Sequence, residues 1–221
     1  MKIDFHCHHP QESRADKVIY SHAKISEPIP KFVKENNCPY TIGLHPWFLP
    51  DNLEVALKTL TQHFSEPNFV GLGECGLDRL QGRDLETQMT YFSAQLDLAH
   101  THEIAFVVLH CVRAFSECLM LLKKTPFKGK IVFHDYGANT DITSQLLKDN
   151  RIYFSLGRAL ERSSFCENSL KLIPLERVLL ETDDEHISID TRYYQLQKHH
   201  ETVPITKIEN TLAENLTSIL S

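Results

Sequence analysis

Lys2-Ile3-Asp4-Phe5-His6-Cys7-His8-His9 decides how the rest of the chain is read. Its first residues alternate, so Ile3, Phe5 and Cys7 form one face of a β-strand and Asp4, His6 and His8 the other. The apolar face suits packing against helices. The polar face puts two imidazoles one strand period apart, close enough to hold a single metal ion. Phe5–His9 contains no glycine, so the Gly-rich phosphate turn of an open nucleotide-binding sheet is missing.

Seven more β-rich stretches follow: Lys17–Ser21, Tyr40–Leu44, Asn68–Glu74, Ile104–His110, Lys130–His134, Arg151–Ser155 and Arg177–Glu181. Helical periodicity fills much of the space between them. Within Asp84–His100, Leu85, Met89, Phe92, Leu96 and Ala99 make one stripe. Asp51 with Glu54 reads as a capping box ahead of Leu53, Leu57, Leu60 and Phe64, and a last helix carries Ile205, Ile208, Leu212, Leu216 and Ile219. Weaker helical patterns cover Ala114–Lys124, Asn139–Asp149 and Arg162–Leu172, whereas Asp184–Pro204 gives no helix signal.

Eight strands alternating with helices predict an α/β fold, a (β/α)8 TIM barrel in a single domain over residues 1–221. Pro10–Asp16 is too short for a helix. The barrel is therefore expected to be distorted and shortened, with its first outer helix missing.

Composition narrows the function. The 221 residues are 42% hydrophobic and 24% charged, as in an ordinary folded globule, and the net charge of −6 would repel a polyanion away from any local cation. No apolar run would span a bilayer and no leader-like stretch opens the sequence, so a cytoplasmic protein with no membrane partner is expected. The six cysteines lack a Cys-x-x-Cys pair and read as reduced thiols, with Cys7, Cys75 and Cys111 turned into the packing. Histidine is the excess, at 13 residues.

Metal-competent side chains close the apolar strands: Glu74, His110 and His134, with Asp183 just past Val178–Thr182. These are the C-terminal strand ends, where barrel enzymes build their sites. Burying so many polar groups is costly unless cations are shared among them. With His6 and His8 there are six converging candidates, enough for two ions: His6, His8 and Asp183 on one, His110 and His134 on the other, and Glu74 between.

Asp4-Phe5-His6-Cys7-His8, Gly43-Leu44-His45-Pro46, Gly73-Glu74-Cys75-Gly76-Leu77-Asp78, Leu109-His110-Cys111-Val112-Arg113-Ala114 and Glu181-Thr182-Asp183 occur in one order. That order resembles the TatD family of metal-dependent deoxyribonucleases, from Met1 to about Asp184 and again through Glu214-Asn215-Leu216. The resemblance implies a binuclear centre on His6, His8, Glu74, His110, His134 and Asp183, holding two divalent ions such as zinc, magnesium or manganese. It also implies that His45 and Arg113 lie near the substrate. The chain departs from the family pattern at His134-Asp135-Tyr136-Gly137-Ala138 and at Asp184-Glu185, where two more acids are expected to add negative charge to the rim.

The activity implied is hydrolysis of phosphodiester bonds in DNA or short oligonucleotides, with a small phosphodiester as the other substrate. Asp183 and Glu74 are the catalytic carboxylates, Asp183 as general base. Two rival readings are an amidohydrolase acting on a small amide, lactone or ester, and an inactive metal-holding interaction protein. Glu74 stands where a carbamate-forming lysine would be needed for one common version of the first. Trp47 and Phe48 suit either base stacking or plugging of a loop, and Asp78 suits either orienting a ligand or capping a turn. His9, His22, His63, His100, His102, His186, His199 and His200 read as surface or capping groups.

Overall fold

The computed structural model describes residues 1–221. Its strands are β1 (Ile3–Cys7), β2 (Lys17–His22), β3 (Tyr40–Ile42), β4 (Phe69–Asp78), β5 (Phe106–Val112), β6 (Lys130–Phe133), β7 (Ile152–Leu156) and β8 (Val178–Leu180). They form one eight-stranded sheet in chain order. β1 pairs in parallel with β2, β3 with β4, β4 with β5, and β7 with β8. Cys7, at the end of β1, forms a parallel bridge with Asp183 just past β8. A chain-order sheet whose last strand returns to its first is the (β/α)8 barrel that the alternating segments predict.

The helices are α1 (Lys31–Glu35), α2 (Leu53–Gln62), α3 (Leu85–Thr101), α4 (Phe115–Lys124), α5 (Thr140–Leu146), α6 (Asp190–His199) and α7 (Ile205–Leu220). Turns alone join β1 to β2, so the first outer helix is missing as expected. The expected helix over Arg162–Leu172 is present in irregular form, with π winding at Phe165–Ser169 running into 3-10 winding at Leu170–Leu172. Conversely, α6 lies inside Asp184–Pro204. Its inner face is Tyr193 and Leu196 with a fully buried Arg192, and that cation masks the apolar stripe. The cap of α2 is Asn52, which accepts from Val55 N; Asp51 instead pairs with Arg83. No helix is long and apolar enough to cross a membrane.

Packing divides the chain into two compact units, one of residues 1–20 and 132–221, the other of residues 21–131. In the first, β1, β7 and β8 bury Ile3, Phe5, Phe154 and Val178, and α7 supplies Ile208, Leu212, Leu216 and Ile219. Asn215 in α7 donates to the Leu175 and Val178 carbonyls, both at 2.8 Å, satisfying backbone groups at the start of β8. In the second unit, α3 packs on β4 through Phe92, Leu96 and Ala99. The buried amides of α3 act as clamps. Gln95 Oε1 accepts from Leu44 N at 2.7 Å, and Gln88 Oε1 accepts from Asp78 N at 2.7 Å, fixing the chain beside His45 and the end of β4. Gly43 is required there because a Cβ would lie 2.4 Å from the Glu74 carbonyl oxygen.

Candidate metal centre

In the first unit the polar face of β1 does what its alternation predicts. His6 is buried and His8 half-buried, and their Nε2 atoms lie 3.5 and 3.4 Å from Asp183 Oδ1. The backbone sets this meeting, since Asp183 N donates to His6 O at 2.9 Å and His8 N donates to Asp183 O at 2.8 Å. Burial raises the Asp183 carboxyl, but hydrogen bonds to His6 and His8 outweigh it and hold the group well below the usual carboxylate range. Asp183 has φ 55°, a left-handed conformation uncommon for a residue with a side chain. Such strain collects at functional sites.

His134, just past β6, stacks on His6 with ring centroids 4.3 Å apart, and its Nδ1 lies 3.5 Å from Glu181 Oε1. Glu181 is fully buried; Oε1 accepts from Asp135 N at 2.6 Å, and Oε2 has no hydrogen-bond partner. A carboxylate oxygen buried in this way calls for a positive charge nearby. Asp4, on the same face of β1 as His6, is not a ligand. It accepts from Ser13 Oγ, Thr182 N and Thr182 Oγ1, tying β1 to the end of β8, and burial pushes its carboxyl up to about 6.

In the second unit Glu74 is buried in β4. Its Oε2 lies 3.3 Å from His45 Nε2 and 3.8 Å from His110 Nδ1, while Oε1 accepts from Ser21 Oγ at 3.1 Å. The resemblance placed His45 beside the substrate; the structure puts it against Glu74, with its ring 4.6 Å from that of His110. The other nitrogen of His110, Nε2, lies 3.1 Å from Asp78 Oδ2, which also accepts from Trp47 Nε1 at 2.7 Å. The second Asp78 oxygen accepts from Leu80 N and Gln81 N. Asp78 therefore both fixes the His110 ring and caps a turn. Burial raises its carboxyl, but hydrogen bonds from Trp47, Leu80 and His110 bring it below the usual value. Trp47 and Phe48 remain 38% and 42% exposed, so the anchored indole still offers a face to solvent. Arg113 is exposed just past β5, with φ 53°.

The donor chemistry fits divalent cations. Ligand atoms of His6, His8 and Asp183 lie within 4.8 Å of one another, as do those of His134, Glu181 and Asp183, and those of His45, Glu74 and His110. Each is a mixed imidazole and carboxylate set of the kind that zinc and manganese accept. Glu181 was not recognised in the sequence, although it has the strand parity of Asp183; Asp78, which suits orienting a ligand or capping a turn, has that of Glu74.

Asp184 and Glu185 are both ion-paired, Arg158 with each of them and the buried Arg192 with Glu185. His22, read as a surface or capping group, is buried, with Nε2 2.9 Å from the Glu27 carbonyl oxygen. All six cysteines are free, and Cys7, Cys75, Cys118 and Cys166 are buried.

The family model described as TatD related DNase matches residues 3–214. The chain belongs to the TatD-related DNase family. A protein from Erwinia amylovora named 3'-5' ssDNA/RNA exonuclease TatD is 33% identical over 67% of this chain and 58% of its own length. A protein from Vairimorpha ceranae named putative deoxyribonuclease TATDN1 homolog is 27% identical over 77% of this chain and 64% of its own length. The chain thus spans about three fifths of such curated TatD relatives. The crystal structure of a TatD homologue from Escherichia coli superposes with a TM-score of 0.83 at 22% identity, covering 99% of this chain and 97% of that one, which establishes the barrel.

Proposed function

We propose that this TatD-family chain is a metal-dependent hydrolase of phosphodiester bonds, acting on DNA, RNA or short oligonucleotides with a free end. The observation that carries the reading is the pair of imidazole and carboxylate clusters, His6-His8-Asp183 and His45-Glu74-His110, at the C-terminal strand ends. The relatives named as exonucleases and deoxyribonucleases support the substrate class.

In this reading His6, His8, His134 and Asp183 would hold one divalent ion, and Glu74 and His110 would hold another. Divalent ions bound there would polarise the scissile phosphate and lower the pKa of water. Asp183, kept ionised by His6 and His8, accepts the proton of the attacking water, and the P–O bond to the leaving alcohol breaks as that oxygen is protonated. Arg113 extends its guanidinium to the phosphate and balances charge building on its oxygens. Trp47, fixed through Asp78, offers its exposed face to a base of a single strand. The net charge of −6 is thereby answered only locally, at the cations and Arg113.

The test is chelation followed by separate restoration of Mg²⁺, Mn²⁺ and Zn²⁺, with an end-labelled oligonucleotide assayed beside a small phosphodiester and an amide. Oligonucleotide cleavage restored by one of these ions supports the reading. Cleavage of the amide alone, or of nothing under any ion, overturns it.

A further inference from the structure

His9, Glu12 and His186 form a third imidazole and carboxylate cluster that shares no residue with the centre above. His9 and Glu12 sit on the turn joining β1 to β2, and His186 sits on the segment between β8 and α6. His186 Nδ1 lies 2.9 and 3.0 Å from the two Glu12 oxygens, and the His9 and His186 rings stack with centroids 3.9 Å apart and planes 27° apart. One ligand atom from each residue lies within 4.8 Å of the others.

The backbone on both sides is already braced. Glu12 N donates to His9 O at 3.0 Å, which fixes the turn that carries both residues. Ser13, next along, accepts from Ile189 N at 2.8 Å and donates to Asp4, holding the turn against the segment that carries His186. Glu185, beside His186, is paired with the buried Arg192. Only exposed side chains need to adjust, because the Glu12 and His186 side chains are 48% and 65% exposed.

We propose that His9, Glu12 and His186 bind a further divalent cation, of the zinc class, on the outside of the barrel mouth. Two imidazoles and one carboxylate leave a fourth tetrahedral position for water, the donor set of open zinc sites. Magnesium and calcium favour all-oxygen shells and are poor matches. A bound ion joins segments 174 residues apart in sequence, at the place where the barrel lacks its first outer helix. It clips the turn after β1 to the segment after β8 by closing a long loop. The inference does not rest on the proposed nuclease activity.

Equilibrium dialysis of the chelated protein against Zn²⁺, with metal counted by mass spectrometry, tests it. The wild type should take up one equivalent more than His186→Ala and one more than Glu12→Gln, and saturating Zn²⁺ should raise the Tm of the wild type further than that of either variant. Magnesium should show no such difference. Both substitutions lie on exposed side chains, and circular dichroism verifies that the variants are folded. Equal zinc uptake by the wild type and the two folded variants overturns the proposal and leaves the Glu12–His186 contact as an ion pair.

Discussion

Asp78 shows how a buried carboxylate can fix the ring of a candidate metal ligand. One oxygen faces His110 Nε2 and the Trp47 N–H, leaving the other nitrogen of His110 directed at Glu74. Carboxylates behind metal-bound histidines fix the ring and its tautomer, and their loss costs about 10–100-fold in metal affinity. Asp78→Ala is expected to weaken metal binding by about that factor, measured by competition with a chromogenic chelator. Asp183→Asn should lower kcat/KM by at least about 100-fold, because the proton acceptor is gone, while the melting curve moves little. A variant that stays active, or one that unfolds, would remove Asp183 from its assigned role. At this scale strand parity singled out His6 and His8, and placement at apolar strand ends singled out Glu74, His110, His134 and Asp183 as candidates. Glu181 was passed over because it reads as a strand residue, and Asp78 was weighed only as orienting a ligand or capping a turn because it lies beyond the strand end drawn at Glu74.

Elements were legible wherever one apolar stripe ran uninterrupted. α3 and α7 have that pattern, and their observed bounds, Leu85–Thr101 and Ile205–Leu220, fall within about a residue of those read from periodicity. α6 was invisible because Arg192, fully buried among Ile189, Tyr193 and Leu196, takes an apolar place and is neutralised by Glu161 and Glu185. No helical periodicity announces an ion pair with carboxylates outside the helix, 7 and 31 residues before Arg192. The start of α2 was misread by one residue, which separates two outcomes. Asn52→Ala should cost about 1 kcal/mol in denaturant unfolding through loss of the cap on Val55 N. Asp51→Ala, which removes only an exposed pair with Arg83, should leave the midpoint almost unchanged.

The architecture of the whole molecule was the easiest level to read, since eight alternating segments and a missing first helix follow from spacing alone. The helical spacing of Arg162–Leu172 located the segment between β7 and β8 but not its irregular π and 3-10 winding, which no spacing pattern specifies. Burial across the barrel predicts thiol chemistry. Under native conditions Cys38 and Cys111, both half-buried, should be alkylated by iodoacetamide, while Cys7, Cys75, Cys118 and Cys166 are protected, as intact mass should record. Burial also pushes the Cys7 thiol up to about 12, keeping it protonated and unreactive. Acid stability should depend on pairs such as Asp149–Arg151, in which hydrogen bonds from Arg151 hold the carboxyl below its usual 3.8. A depressed carboxyl stabilises the fold above its unfolded value and loses that contribution as pH falls through the folded one. Asp149→Asn should therefore reduce stability at neutral pH and flatten the decline below about pH 4, in urea melts taken across that range.

The seam between Cys7 and Asp183 carries a consequence for biosynthesis. Asp183 hangs by its own amide and carbonyl from His6 and His8, and Asp4 grips Thr182 across 178 residues of sequence. A nascent chain can thus form its middle strands while its first strand still waits for a mate, and His6 and His8 meet their carboxylate only after β8 has left the ribosome. Any ion held by the proposed trio would be captured late in maturation, and a message cut short before codon 183 would yield a product with imidazoles but no Asp183.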